Sequence, residues 1–421
     1  MAEKLKVVWL SNIIFPDAAE RIGVARYAIG SWLTAYRDVM RKYHGDDMML
    51  HVIAPYDGHS FAEQTVGDTC HYLFPKECKP QALSAWFKSI DDRIRPDVVH
   101  LHGSEFPHSS IYVDACGNAN AVLSIQGLVS VYPRYYFAGM PVHYPPTLRD
   151  LLKGETLTAR RNEMARRGRL ERSLLTKVRY VAGRTSWDYA HCKAVNQSLH
   201  YFVCNEPLRE GFYHAAWSLP ACRRHTIFAC QSSYPIKGTH MLLRALAIVR
   251  RTYPDAVLSL PGVDVTRRPW YRTFTYWKYI RSLIRDLGLS GCVHFLGDLS
   301  EEEMIDQYLS ANVFVCPSSI ENSSNSVCEA QMTGTPVIAS YVGGMMDLVD
   351  DGVTGLLYRF EEIEMLADKI CRIFADDDLA VTLSRNARAA ASVRHDREAI
   401  ARSLWQIYQT VSGNVNQDRQ Q

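Results

Sequence analysis

The chain lacks any long apolar run: no stretch reaches the ~18 to 20 consecutive apolar residues that a membrane-spanning helix needs. Its opening, Met1-Ala2-Glu3-Lys4-Leu5-Lys6 then Val7-Val8-Trp9-Leu10, has too short an apolar part for a secretory leader and runs straight into a strand-like segment. Cytoplasm is therefore the expected location. An excess of either charge is missing too. Lys plus Arg is 47 and Asp plus Glu is 45, a net of +2, so no global field draws the chain onto nucleic acid and no nucleic-acid partner is expected. The eleven cysteines include no C-x-x-C and no Cys/His pair at metal-ligand spacing, which argues against a zinc site or a disulfide framework. They read as reduced thiols. Nor does a G-x-G-x-x-G follow the first strand, where the chain reads Ser11-Asn12-Ile13-Ile14-Phe15-Pro16. That disfavours a nicotinamide-dependent dehydrogenase.

What is present is an ordinary globular composition, 47% apolar and 22% charged, over 421 residues, more than one hydrophobic core usually serves. Apolar strand candidates recur at Lys6 to Leu10, Met49 to Ala54, Asp97 to His102, Ala121 to Ile125, Val178 to Ala182 and Tyr201 to Cys204. A second series follows at Thr226 to Cys230, Ala256 to Leu260, Val293 to Leu296, Val313 to Cys316, Val337 to Ala339 and Gly355 to Tyr358. Helical patterns fill much of the space between, so the expectation is α/β, with two doubly wound parallel sheets. The aperiodic stretch with Pro207, Gly211 and Pro220 reads as the hinge. The expected domains are 1–205, a linker at 206–223, 224–395, and a last helix and polar tail over 396–421, with the end from Asn414 fraying.

The most informative segment runs from Ile320-Glu321-Asn322-Ser323-Ser324-Asn325-Ser326-Val327-Cys328-Glu329-Ala330 through Gly334-Thr335-Pro336. It places Glu321 in a loop after a buried strand and Glu329 on a short helix that stops at Gly334. A loop at the carboxyl end of a strand, leading into a helix N-terminus, is where an open α/β sheet binds phosphorylated ligands. Lys237 precedes Gly238 and the periodic Met241, Leu242, Ala245, Leu246 and Val249, which puts it at another helix N-terminus. The bland alternatives are an exposed lysine at a turn and, for Glu329, a capping box with Ser326.

The segment resembles the E-x7-E motif of retaining glycosyltransferases of family 4, whose fold is the two-domain GT-B. Val337-Ile338-Ala339-Ser340-Tyr341-Val342-Gly343-Gly344, Asp347, Asp351-Gly352-Val353-Thr354-Gly355-Leu356-Leu357, Pro235-Ile236-Lys237-Gly238 and Val293-His294-Phe295-Leu296-Gly297 fall in the family's order. The likeness is strong over roughly 224 to 395. It implies two Rossmann-like domains facing a central cleft, the N-terminal one binding acceptor and the C-terminal one binding a nucleotide-diphosphate sugar, with the last helix crossing back. Glu321 would then face the transferred sugar and support positive character at C1. Lys237 would neutralise the leaving diphosphate, Glu329 would take the ribose hydroxyls, and Ser323, Asn325 and Ser326 would hold the sugar and phosphates. Gly23 matches the glycine whose backbone approaches the diphosphate. The family's usual arginine before the lysine is absent, its places being taken by Gln231 and Ser232, so amides, Arg21 or Arg184 must supply that charge.

In the first half, His100-Leu101-His102-Gly103-Ser104-Glu105 ends a strand, with both histidines on one face. Two such rings suit a metal only with a third ligand, and the spacing supplies none. Acceptor contact, by His102 and Glu105, or core packing remain. Gln126, where many relatives carry a histidine, hydrogen-bonds but cannot exchange protons near neutrality. This suits a front-face reaction in which the departing phosphate takes the acceptor's proton.

Two basic stretches stand out. Residues 149–179 hold ten Lys/Arg against four acids, and 267–285 hold six Lys/Arg interleaved with Trp270, Tyr271, Phe274, Tyr276, Trp277 and Tyr279. Both a solvated helix face over an aromatic core side and peripheral membrane contact fit that pattern. The expectation is a metal-independent retaining hexosyltransferase without a cofactor. It would act on a saccharide or lipid-linked acceptor in polysaccharide or glycoconjugate synthesis. Alternatives are a GT-B nucleotide-sugar epimerase and a non-catalytic nucleotide-sugar-binding subunit.

Overall fold

The computed structural model describes residues 3–24, 31–141, 144–229 and 233–420. They form two compact units, one of Met1–Ser130, Arg166–Pro207 and His395–Gln421, the other of Val131–Ala165 and Leu208–Arg394.

The first unit carries strands β1 (Leu5–Leu10), β2 (Met48–Tyr56), β3 (Ala62–Val66), β4 (Thr69–Pro75), β5 (Val98–His102), β6 (Ala121–Ser124), β7 (Tyr180–Gly183) and β8 (His200–Val203). Their order is β3-β4-β2-β1-β5-β6-β7-β8, parallel throughout except the antiparallel β3–β4 pair at one edge. Val7, Val8, Trp9 and Leu10 of the central β1 are wholly buried, as expected of a strand covered on both faces. The edge hairpin was not expected from the apolar runs, because Ala-Glu-Gln-Thr-Val offers no apolar stripe. Its signal is the two-residue Gly67-Asp68 link, with Gly67 at φ +61°. The last helix, Arg397–Gln420, belongs to this unit and runs on through the polar end expected to fray. Tyr408 anchors it, accepting from Trp9 Nε1 at 2.8 Å and lying 2.8 Å from His100 Nδ1.

The second unit carries β9 (Thr226–Phe228), β10 (Val257–Leu260), β11 (Val293–Phe295), β12 (Val313–Cys316), β13 (Val337–Ser340) and β14 (Leu356–Tyr358), all parallel, in the order β11-β10-β9-β12-β13-β14. The expected helix runs Thr239–Val249 and buries Met241, Leu242, Ala245, Leu246 and Val249 against the sheet. Strand order reverses at β9, between β10 and β12, and at β1, between β2 and β5, in the other unit. In such sheets ligands usually bind beyond the carboxyl ends of the strands at such a reversal.

Residues 131–165, placed with the N-terminal domain on linear boundaries, cluster instead with the second unit. Specific polar bonds hold them there. The buried Asp150 carboxylate accepts from Thr275 N at 2.7 Å, Thr147 N donates to Thr275 Oγ1 at 3.0 Å, and His240 Nε2 lies 2.9 Å from Ala138 O. A buried carboxylate without these donors would cost several kcal/mol. No helix among the described residues is long and apolar enough to cross a membrane.

Candidate active site

In the second unit, Lys237 and Glu321 follow the two strands that flank the reversal. Lys237 ends a short 3-10 turn, Pro235–Lys237, after β9, and Gly238 then takes φ +68° to start the helix. A Cβ at Gly238 would sit 1.7 Å from Pro317 O, so only glycine lets the turn approach the loop after β12 this closely. Ser319 N closes the junction, donating to Ile236 O at 2.7 Å. Glu321 is clamped from the other side. Gly344 N donates to its carbonyl at 3.1 Å, and a Cβ at Gly343 (φ +54°) would lie 1.9 Å from the same oxygen. The Gly343-Gly344 pair thus fixes the acid's backbone.

The side chains meet as the sequence pairs them. Lys237 Nζ lies 2.6 Å from Glu321 Oε1, which also accepts from Ser318 Oγ at 2.8 Å. Burial opposes the charge of Lys237, but the Glu321 carboxylate more than offsets it and holds the ammonium well above its ordinary pKa.

The helix runs Asn325–Thr333 and stops at Gly334, φ +81°. Its N-cap residue, Ser324, makes no side-chain capping bond. The first-turn N–H groups have no intrahelical partner. Ser323, Asn325 and Ser326 are part-exposed within a segment otherwise buried from Ile320 to Ala330. Glu329 is the fifth residue of the helix, and the capping box with Ser326 does not form. Its carboxylate instead accepts from Arg209 Nη2 at 2.8 Å and Tyr308 OH at 3.1 Å. Burial pushes this carboxyl up, with Arg209 and Tyr308 pulling it back. Burial likewise works against Arg209, yet Glu329, with Glu301 behind it, keeps the guanidinium above its ordinary value.

Arg209 was not foreseen. It lies in the aperiodic stretch read as hinge, where nothing but the Pro207 before it marks the position. Each acid of the pair therefore has one cation, and both cations come from other parts of the chain.

In the first unit, Gly23 sits at φ +69° after the helix Pro16–Arg21, where the backbone angle and not space calls for glycine. Residues 25–30 lie outside the described residues, as do Gln231 and Ser232. Arg21 is exposed. Arg184 is committed elsewhere: its Nη1 is 2.6 Å from Glu206 Oε2, in a pair only 6% and 8% exposed. Gln126 Nε2 donates to the other oxygen of Glu206 at 2.6 Å.

His102 is buried, its ring centroid 3.8 Å from that of His100 and 4.5 Å from that of Trp9, and burial holds it neutral, well below its ordinary pKa. Its surroundings are those of a core side chain. No cluster of three metal-ligating side chains exists among the described residues. Burial pushes Glu105 up to about 7, and the nearby Glu171 adds to the shift. Glu171 is itself held by Ser104 Oγ at 2.7 Å, Ser130 N at 2.9 Å and Val129 N at 3.2 Å.

Residues 223–390 match the family described as Glycosyl transferases group 1. Over 181 residues the chain is 32% identical to the D-inositol 3-phosphate glycosyltransferase of Corynebacterium urealyticum, covering 42% of this chain and 41% of that one. It is 35% identical over 176 residues to that of Corynebacterium diphtheriae, covering 41% and 39%. The matches thus span about two fifths of these relatives' length. Whole-chain likeness is structural. Sucrose-phosphate synthase from Thermosynechococcus elongatus superposes with TM-score 0.71 at 19% identity, over 97% of this chain and 99% of the other. Anabaena HepE in complex with UDP-glucose gives 0.67 at 18%, over 97% and 100%. The chain therefore has the GT-B fold, and its residues 223–390 match the family described as Glycosyl transferases group 1.

Proposed function

We propose that this protein is a retaining glycosyltransferase that moves a sugar from a nucleotide-diphosphate sugar to a saccharide or lipid-linked acceptor, without a metal ion. The observation that carries the reading is the Lys237–Glu321 pair, 2.6 Å apart, beside the strand reversal of the second unit. Sugar transfer places negative charge on a departing diphosphate and positive character on C1, so it needs a cation and a carboxylate fixed next to one another. Lys237 supplies the first. Its ammonium has three donors, only one of them engaged by Glu321, and it sits at the start of a helix.

Glu321 supplies the second. Its two described bonds fall on Oε1, leaving Oε2 for a sugar hydroxyl. The first turn of Asn325–Thr333, with the part-exposed Ser323, Asn325 and Ser326, offers N–H and hydroxyl donors to phosphate oxygens. Glu329, held by Arg209 and Tyr308, presents its carboxylate to the ribose. In the step itself, the bond from C1 to the diphosphate oxygen breaks and one from the acceptor oxygen forms on the same face. The acceptor's proton passes to the departing phosphate oxygen. Gln126 has no proton to exchange, and its bond to Glu206 makes it a fixed polar wall of the first unit. The D-inositol 3-phosphate glycosyltransferase relatives and the UDP-glucose complex of HepE support a sugar-nucleotide donor.

The test is a thermal-shift screen of UDP, GDP, ADP and their sugars, followed by nucleoside diphosphate release with candidate acceptors. A ligand at about 100 times its Kd adds roughly 2.7 kcal/mol of stability. One nucleotide is expected to raise the midpoint, and its sugar to turn over. Binding without turnover for every acceptor tried would favour the non-catalytic subunit, and no shift with any nucleotide would end both readings.

A further inference from the structure

The first part of one basic stretch, 149–165, and the other, 267–285, about a hundred residues apart in sequence, meet on the second unit. Leu148–Lys153 forms a short helix, capped by Thr147, whose Oγ1 accepts from Asp150 N at 3.2 Å, and ended by Gly154 at φ +65°. It packs against the turn Trp270–Arg272. Asp150 points inward to Thr275, while Arg149 and Arg160 lie over the ring of Phe274 at 3.8 and 4.8 Å. This inward anchoring turns the other side of the helix out. Leu148, Leu151 and Leu152, at i, i+3 and i+4, are 64%, 58% and 79% exposed. Lys153 follows them, and the exposed Tyr271 and Arg272 sit on the neighbouring turn.

We propose that this surface docks the protein on an anionic lipid bilayer. The helix is fixed by its buried Asp150 carboxylate and by the Arg149 guanidinium over Phe274, so its leucines stay exposed instead of folding into the core. Positive charge surrounds them. From 148 to 161 and 264 to 278 the chain carries Arg149, Lys153, Arg160, Arg161, Arg267, Arg268, Arg272 and Lys278 against Asp150, Glu155 and Asp264. Asp150 is buried, Glu155 pairs with Arg160 at 3.3 Å, and Asp264 pairs with Arg267 at 3.3 Å. What remains is net basic. Leucines ringed by lysine and arginine bury their apolar ends among acyl chains while the cations meet phosphate headgroups. A second copy of the chain is a poor occupant. Three leucines offer roughly a few hundred Å², below the about 800 Å² per partner of a stable interface, and like basic rims would repel. The inference is independent of the transferase reading.

The experiment is flotation of the full-length chain with phosphatidylcholine vesicles, with and without about 30% phosphatidylglycerol, at low and high salt. Wild type is expected to float with the anionic vesicles only, and less at high salt. L151E/L152E is expected to lose at least about tenfold in partitioning with an unchanged thermal midpoint. K153E/R272E, at exposed positions, tests the charge separately and decides the matter if the leucine variant fails to fold. Absence of wild-type flotation, or flotation by both double variants equal to that of wild type, overturns the proposal. So does a dimer that L151E/L152E dissociates without any vesicle binding.

Discussion

Replacing Lys237 by methionine keeps the length of the side chain and removes its charge. At 2.6 Å the attraction between Lys237 and Glu321 is roughly 6 kcal/mol at an effective dielectric of about 20. Most of that is offset by taking both groups out of water, since the side chains are only 20% and 12% exposed. A net coupling of about 1–3 kcal/mol is expected between the two positions. In K237M the Glu321 carboxylate keeps Ser318 but has lost its counter-charge, so K237M should be less stable than E321Q, and K237M/E321Q should recover part of the loss.

Catalysis separates the electrostatic role from this structural one. Loss of one preorganised charge at the leaving group should lower kcat by at least about 100-fold, or roughly 2.7 kcal/mol in the barrier. K237M/E321Q, though restabilised, should stay as slow as K237M or slower. Urea melts of wild type, the two single variants and the double variant give the coupling. Steady-state release of nucleoside diphosphate gives the rates. A coupling under about 0.5 kcal/mol would mean that the pair is not a desolvated contact. Transfer by K237M within a few-fold of wild type would refute the assigned role even if the stability cycle came out as stated.

Two further outcomes follow from the buried acids. In R209M the Glu329 carboxylate retains Tyr308 but loses its cation, so stability should fall by about 2–4 kcal/mol and donor affinity by about tenfold. R209M/E329Q should regain stability in a urea melt without regaining affinity by calorimetry, and unchanged affinity in R209M would detach this pair from donor binding. For Glu105, burial raises the carboxyl from its ordinary 4.5 to about 7, so its contribution to stability is present below 4.5 and lost as pH rises through 7. E105Q removes the loss. Its stability relative to wild type should grow from near zero at pH 4.5 to at most about 3 kcal/mol at pH 8, and a difference that does not vary with pH would place the carboxyl in solvent.

All six apolar runs of the second unit became strands, and Val313–Cys316 shows the clearest reason, since a strand covered on both faces must be apolar along its whole length. The β3–β4 hairpin was hidden because an edge strand half in water, such as Ala62–Val66, carries no such requirement. The acids were legible for a local reason: Glu321 and Glu329 flank a polar turn between the buried strand Val313–Cys316 and a helix that stops at Gly334. Their cations were legible unequally. Lys237 announces itself beside Gly238, where a Cβ would strike Pro317 O. Arg209 reaches Glu329 from 120 positions away, and no periodicity records a contact of that range. The placement of 131–165 on the second unit failed to show for the same reason, since it depends on Asp150 meeting Thr275.

The fold explains why those distant residues converge. Strand order reverses at β9, so the segments after β9 and β12 leave the sheet side by side although 84 residues separate Lys237 from Glu321. Three close approaches then remove the slack: Gly238 against Pro317, Ser319 N on Ile236 O, and Gly343-Gly344 under Glu321 O. Each is backbone-on-backbone, so the main chain of Glu321 is fixed, and Lys237 and Ser318 then hold its carboxylate. Reorganising this loop would mean breaking main-chain contacts, so in the proposed transfer the pair would act as a fixed dipole toward a developing diphosphate charge. The same rigidity makes Gly343 a site where a methyl group should act on catalysis through Glu321 alone, with Lys237 and the helix Asn325–Thr333 left where they are.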